Sequence, residues 1–438
     1  MNVLLLNPSS QSDVVANREG TAGWGAMSDL GFAYPPHTLS VLAAACREVG
    51  INPTVLDAVG ERLSQQDVIE QIERSEPERL VVFTSWGTLE DDCIALQALQ
   101  AAFPDLPLIA VGTASRYNAD ELRGAGATHV LVGDPDLALA AFLTRPLPAP
   151  GLVHSRDLLP DQHNQAGLLR DPAQLPRPAW DVVPWQKYGF LTLFGARGCE
   201  DRCKFCAYIT AQGRAYRPRP VQDVVDEMLW LQETFQPRRI MVRDPVFAFD
   251  RTRTMALARM LAAADFHTPW DCESRPEHFD RAMLRVLARA GCRVLKLGIE
   301  SANPEQLTAM GRVGSHTEAA TYLAYTGRVV ADARRFGIAT HAFVLVGLPG
   351  QTLADTTRTA DYLRAIAPSF IHIRPYIAYP RVALGPAQHT EAVRELMVPL
   401  QAVTEERLAA ARRPASLAGH LRNRIWRLQL WLRLRWDV

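Results

Sequence analysis

Lysine is almost missing from this chain: Lys187, Lys204 and Lys296 are the only three in 438 residues. Arginine carries the positive charge, and Lys+Arg and Asp+Glu balance at 47 each, so nothing in the net charge suggests a nucleic-acid partner. Nowhere do 18 apolar residues run together, which excludes a membrane-spanning helix of ordinary length. The opening Met1-Asn-Val-Leu-Leu-Leu-Asn-Pro8 has no basic leader, and its apolar run is too short for a signal peptide. No GxGxxG fingerprint occurs, so a nicotinamide cofactor is not expected. Seven cysteines are too few for a secreted disulfide scaffold. These absences predict a soluble, cytoplasmic, globular protein of two or three domains.

Three of the seven cysteines are concentrated in Gly195-Ala-Arg-Gly-Cys-Glu-Asp-Arg-Cys-Lys-Phe-Cys-Ala-Tyr208, directly after the apolar run Phe190–Phe194. Cys199, Cys203 and Cys206 stand in a Cys-x3-Cys-x2-Cys loop, close enough to hold three of the four irons of an iron–sulfur cluster. A fourth cysteine is lacking, so one iron would stay open to a non-protein ligand. A structural zinc site wants four Cys or His ligands, and no histidine lies near the loop. Arg197, Arg202 and Lys204 are expected to surround the thiols and favour the thiolate form. Cys46, Cys93, Cys272 and Cys292 sit in apolar or periodic segments and read as buried small residues.

Residues 1 to about 145 alternate strand and helix patterns. Buried parallel strands are expected at Val3–Leu6, Thr54–Leu56, Leu80–Phe83, Leu108–Val111 and His129–Val132, with helices near 36–49, 64–74, 89–103, 117–124 and 134–143. Such a doubly wound sheet binds ligands at the carboxyl ends of its strands. Three turns there, Thr84-Ser85-Trp86-Gly87-Thr88, Gly112-Thr113-Ala114-Ser115 and Gly133-Asp134-Pro135-Asp136, have the small residues that let backbone N–H groups approach a phosphate or amide tail. The 8–36 loop, rich in Gly, aromatic residues and Met, is expected to be an ordered lid. Residues 146–188 are Pro-rich and read as a linker. From 189 to 380 a second series predicts strands at 190–194, 239–243, 269–273, 293–298, 338–346 and 370–376 and helices near 219–234, 251–264, 280–290, 317–336 and 353–366. That fits a partial (β/α)6 barrel of the TIM type with its active site at the carboxyl end. Residues 381–438 are expected to be helical. Leu421, Ile425, Leu428 and Leu432 make an apolar stripe amid Arg and Trp, which suits docking on the chain's own domain or peripheral contact with an anionic membrane.

The cysteine spacing, with Phe205 before the last cysteine, resembles the radical S-adenosylmethionine (SAM) signature. Over roughly residues 1–380 the chain resembles the cobalamin-binding group of those enzymes, with a Rossmann-like (flavodoxin-like) cobalamin domain before the barrel. The resemblance implies a 4Fe–4S cluster on Cys199, Cys203 and Cys206, with SAM on the open iron. It places Phe205 and Tyr208 near the adenine, Asp244 at the methionine amino group, and Glu273, Arg275, Glu300 and Ser301 at the ribose or carboxylate. Backbone of Val344–Pro349, including Val346, would line the adenine. The cobalamin tail would run past Gly112, Thr113, Gly133 and Asp134, with the lower corrin face on Thr84, Ser85 and Trp86. No Asp-x-His-x-x-Gly follows the first strand, so no histidine is expected beneath cobalt; His37 opens a helix and His129 lies in a strand.

The implied activity is methyl transfer from methylcobalamin to an unactivated carbon of a small molecule, with SAM reductively cleaved at the cluster. The partners implied are that small-molecule substrate and an electron donor such as ferredoxin or flavodoxin. Two alternatives are a non-methylating radical cyclisation or rearrangement, and an iron–sulfur, corrinoid-binding sensor or carrier. A methylthiotransferase shares the domain order but needs three clustered N-terminal cysteines, and Cys46 and Cys93 fall short. The chain departs from the family pattern with Gln351 after Gly-Leu-Pro-Gly, and with Tyr379-Pro-Arg-Val382 where Pro-Gly-Thr is common.

Overall fold

The computed structural model describes residues 1–412 apart from Asp13, Thr21, Ala22, Asp29, Leu30 and Gly31. The expected helix and stripe at 421–438 lie outside the described residues. The strands in chain order are β1 (Val3–Asn7), β2 (Val15–Asn17), β3 (Ala26–Ser28), β4 (Thr54–Asp57), β5 (Arg79–Thr84), β6 (Leu108–Gly112), β7 (His129–Val132), β8 (Gly151–His154), β9 (Leu191–Leu193), β10 (Ala196–Arg197), β11 (Arg217–Pro218), β12 (Ile240–Val242), β13 (Trp270–Ser274), β14 (Cys292–Glu300), β15 (Ala339–Val346) and β16 (Phe370–Pro375).

Two parallel sheets organise the molecule. The first runs β4-β1-β5-β6-β7-β8, and β1, Val-Leu-Leu-Leu-Asn, is buried throughout because helices cover both faces. Val3 and Leu5 pack with Leu39 and Leu42 on one face, and Leu4 and Leu6 with Val68 and Ile72 on the other. Cys46 and Cys93 belong to opposite faces of this sheet, so they do not form one thiol group. The linker expectation for 146–188 is corrected at β8, which pairs in parallel with β7 from Gly151 to His154. Prolines flank the segment at 146, 148, 150 and 160 but are absent between Gly151 and Ser155, leaving its N–H groups free for an edge ladder.

The second sheet, β16-β15-β14-β13-β12-β9, is a six-stranded partial barrel. Its strands alternate. Leu191, Leu193, Ile240, Val242, Trp270, Cys272, Leu295 and Leu297 join one apolar core beneath the outer helices. The intervening Asp271, Glu273 and Lys296 therefore face the lumen. There Lys296 Nζ lies 3.4 Å from Asp271, and His372 Nε2 lies 3.0 Å from His341 Nδ1. The turn after Asp250 shows how a helix begins here: the Asp250 side chain accepts from the N–H of Arg253, capping the helix Arg251–Ala263.

Candidate active site

The described residues of the 8–36 segment pack in the seam between the two sheets, so the lid reading is corrected. β2 and β3 form a short antiparallel hairpin, and Trp24, between the two strands, is fully buried. The Trp24 indole N–H donates to the Ala207 carbonyl, 2.7 Å away, just after the cysteine loop. Tyr117 stacks on it at 4.8 Å, and Trp86 and Tyr379 close around it. Arg18 pairs with Asp92 at 2.7 Å in the first domain, while Glu19 reaches Arg243 of the barrel at 2.7 Å. Tyr34 lies under the Arg243 guanidinium at 4.9 Å. One glycine is demanded outright: a Cβ at Gly25 (φ +75°) would sit 1.8 Å from Ser85 Oγ.

The cysteine loop leaves β9 at the carboxyl end of the barrel. Cys199 and Cys203 are buried, and Cys206 is partly so. Burial pushes the Cys199 thiol up to about 12 and raises Cys206 as well, so iron binding here must displace protons. The expected source of positive charge is corrected. Arg197 turns away to Asp136 of the first domain, at 2.6 Å, and Arg202 and Lys204 are exposed. The cations at the thiols are Arg275 and Arg312, whose Nη1 atoms lie 3.8 and 3.7 Å from Cys203 Sγ. Arg275 also holds Asp201 at 3.0 Å, and Arg312 donates to the Gly298 carbonyl. Sequence reasoning missed Arg312 because it lies in a turn, not at a strand end. Among the described residues no three Cys, His, Asp or Glu side chains converge on a single metal ion. Three thiols in one loop, with two guanidiniums at Cys203 Sγ, are the donor chemistry that holds three irons of a cluster.

Phe205 packs with Leu307, Met310 and Tyr322. The Tyr208 hydroxyl is hydrogen-bonded to Glu273, whose carboxyl burial pushes up. Glu300, held at φ 69° where β14 breaks register with β15, is raised to about 7, chiefly by burial and against the pull of Arg312 and Arg275. A Cβ at Gly298 would meet Glu300 Oε1 at 2.4 Å, so a side chain there would push the carboxylate aside. Ser301 Oγ donates to Gln306 at 2.7 Å, and Gln351 donates to the same oxygen at 3.3 Å while accepting from the Gly347 N–H at 2.7 Å. Gln351 therefore links the β14 and β15 ends, and Val346 is buried beneath them.

Asp244 follows β12 at the carboxyl end of the barrel, against the start of the cysteine loop. It is fully buried, Oδ1 accepts the Gly195 N–H at 2.6 Å, and Oδ2 has no hydrogen-bond partner. It anchors the start of the cysteine loop through that bond, with Oδ2 left over. Burial raises its carboxyl from the ordinary 3.8 to about 6 despite Arg253. The protonated form fits the fold better, so this group's contribution is whole below pH ~4 and is lost as pH rises through about 6, on the order of 3 kcal/mol. Asp244→Asn should gain stability relative to the parent chain between pH 4 and 7, read from urea midpoints at the two values. A constant difference between the two proteins would refute it.

At the edge of the first sheet Gly112, Thr113, Gly133 and Asp134 line one cavity of about 90 Å³ with His37, Arg116, Arg197 and Arg243. Thr84, Ser85 and Trp86 are not part of it. Thr84 and Ser85 are fully buried beneath the seam, where the Gly87 N–H donates to the Trp24 carbonyl at 2.7 Å. The bareness of Gly112 and Gly133 answers to their own chain, because a Cβ on either would come within 2.0 Å of Thr84 O or Ser155 Oγ. Asp134 is taken by Arg116 at 3.0 Å and the Leu169 N–H at 2.9 Å. His37 lines the cavity, its Nδ1 3.2 Å from the Thr192 carbonyl and its pKa lowered to about 4 by burial. His129 is held at both ring nitrogens, by Thr128 and by Pro148. Ligand pockets usually measure roughly 300–1,000 Å³. This cavity is smaller than that, so it alone does not hold a corrin ring.

Residues 194–363, which carry the three-thiol loop and most of the partial barrel, match the Radical SAM superfamily model. The chain is similar to an uncharacterized methyltransferase, PH0819, of Pyrococcus horikoshii, at 20% identity over 397 residues, spanning 88% of this chain and 82% of that one. Among solved structures it resembles the radical SAM methyltransferase TsrM from Kitasatospora setae with tryptophan and a SAM analog bound (TM-score 0.63, 20% identity, 85% of this chain and 72% of that one). It also resembles the cobalamin-dependent SAM radical enzyme OxsB with aqua-cobalamin bound (TM-score 0.61, 15% identity), covering 92% of this chain and 56% of that one. These likenesses establish the two-domain fold, a flavodoxin-like sheet joined to a partial barrel.

Proposed function

We propose that the chain is a cobalamin-dependent radical SAM methyltransferase acting on an unactivated carbon of a small molecule. One observation carries this reading: the three-cysteine loop opens onto the seam where the carboxyl edge of the first sheet meets the carboxyl end of the barrel. A 4Fe–4S cluster, SAM and cobalamin supply the electron-transfer and methyl-transfer chemistry when bound. The chain's residues bind and orient. Cys199, Cys203 and Cys206 hold iron, and Arg312 with Arg275 presents two guanidiniums suited to a carboxylate beside Cys203. Phe205, Tyr208, Glu273, Glu300, Ser301 and the backbone at Val346 surround the same end of the barrel and suit the rest of SAM. Gly112, Thr113, Gly133 and Asp134 are the cobalamin-side candidates, with His37 beside them. Trp24, Trp86, Tyr117 and Tyr379 exclude water from the seam.

Methyltransferase names among the relatives support methyl transfer. A non-methylating radical reaction is the second reading, favoured by the likeness to OxsB, which is described only as a radical enzyme. The electron would come from ferredoxin or flavodoxin. No described helix is long and apolar enough to cross a membrane, and we place the protein in the cytoplasm.

Anaerobic turnover of SAM carrying a labelled methyl group, with cobalamin and a strong reductant, tests the function. Methyl transfer yields S-adenosylhomocysteine. Accumulation of 5′-deoxyadenosine alone selects the second reading, and intact SAM after repeated reduction refutes both.

A further inference from the structure

We infer that the outer face of the cysteine loop is the docking surface for an acidic protein that delivers single electrons. The inference rests on the cluster reading above and names the partner surface of that same site.

Arg202 and Lys204 flank Cys203, yet both are exposed, and no described residue draws either side chain into an ion pair or hydrogen bond. Their backbones are firmly fixed. The Lys204 N–H donates to the Met310 carbonyl at 2.8 Å, and its carbonyl accepts the Ala383 N–H at 3.0 Å. Gly311 packs beneath them, since a Cβ there would lie 2.7 Å from the Arg202 carbonyl and 3.6 Å from Lys204 Cγ. A third exposed cation, Arg214, donates to the Asp201 carbonyl at 3.1 Å. The opposing charge on the loop is largely used up. Asp201 is spent on Arg275 at 3.0 Å and His278 at 3.9 Å, leaving Glu200 exposed.

So a loop fixed by its backbone presents three exposed cations on its outside, two of them unpaired among the described residues, and a thiol, Cys203, that is 4% exposed on its inside. Charges at the thiols are already supplied by Arg275 and Arg312, so the outer three are not needed there. In a chain with no net charge, this local excess favours an acidic partner and speeds its arrival, by tenfold or more at low salt. The transfer balances as one electron leaving the reduced carrier and one entering the cluster. No bond to the chain is made or broken.

The test uses the full reconstituted chain and two reductants, dithionite and a reduced acidic flavodoxin, with bleaching of the visible cluster absorbance followed by stopped flow. For the parent chain the flavodoxin rate should fall steeply with added salt. In R202E/K204E it should drop about tenfold or more and lose most of its salt dependence, while dithionite bleaching is unchanged. R259E, a charge reversal on the outer helix Arg251–Ala263, should behave as the parent chain. Equal flavodoxin rates in R202E/K204E and the parent, or an equal loss in R259E, overturns the docking surface. Absence of bleaching by dithionite in the parent chain instead overturns the cluster reading.

Discussion

Replacing Cys203 with alanine should leave anaerobically reconstituted protein with almost no iron and without the broad visible absorbance of the parent chain. Cys203 lies centrally among the three cysteines and is the one that Arg275 and Arg312 both face. Without it two thiolates remain, fewer than the three a SAM-binding cluster leaves to protein. Cys292→Ala is the matched control. Cys292 is equally buried, but it starts β14 at the far end of the strand from Glu300 and belongs to the apolar core. Its loss should leave iron content and absorbance as in the parent chain. Full iron in Cys203→Ala would mean that the loop is not the cluster site.

Breaking the Glu19–Arg243 pair should cost about 3–5 kcal/mol, because either partner alone is a buried, uncompensated charge. The residues are 224 positions apart, and both carboxylate and guanidinium are nearly inaccessible. Arg243 also donates to the Glu19 carbonyl, and Glu19 accepts the Thr38 N–H at 2.6 Å, so the pair ties the seam to both domains. Arg243→Met should lower the first urea transition by that amount. Adding Glu19→Gln to Arg243→Met should cost less than the sum of the single changes. Additive costs would show that the two side chains do not act on each other.

Most of the strand order was legible because buried parallel strands need near-continuous apolar runs, and Val3–Leu6, Leu80–Phe83 and Leu108–Val111 supply them. The cysteine loop was legible because its ligands are local in sequence. What was not legible depends on contacts between distant residues. Arg202 and Lys204 flank Cys203 in sequence, yet the guanidiniums at its sulfur come from positions 275 and 312, on other turns of the barrel. β8 was hidden by its proline flanks, since edge pairing needs only a few free N–H groups and leaves little apolar signature. The seam around Trp24 read as a lid because glycine and aromatic content mark order without saying against what the segment packs. His341 and His372, 31 positions apart, meet only because β15 and β16 are adjacent.

The central claim is that one chain holds an iron–sulfur cluster and a corrinoid on the two sides of this seam. Metal analysis of the full chain, reconstituted anaerobically with iron, sulfide and hydroxocobalamin and then desalted, tests it most directly. The account predicts about four irons and about one cobalt per chain. Four irons without cobalt would contradict the corrinoid half, and zinc in place of iron would contradict the whole.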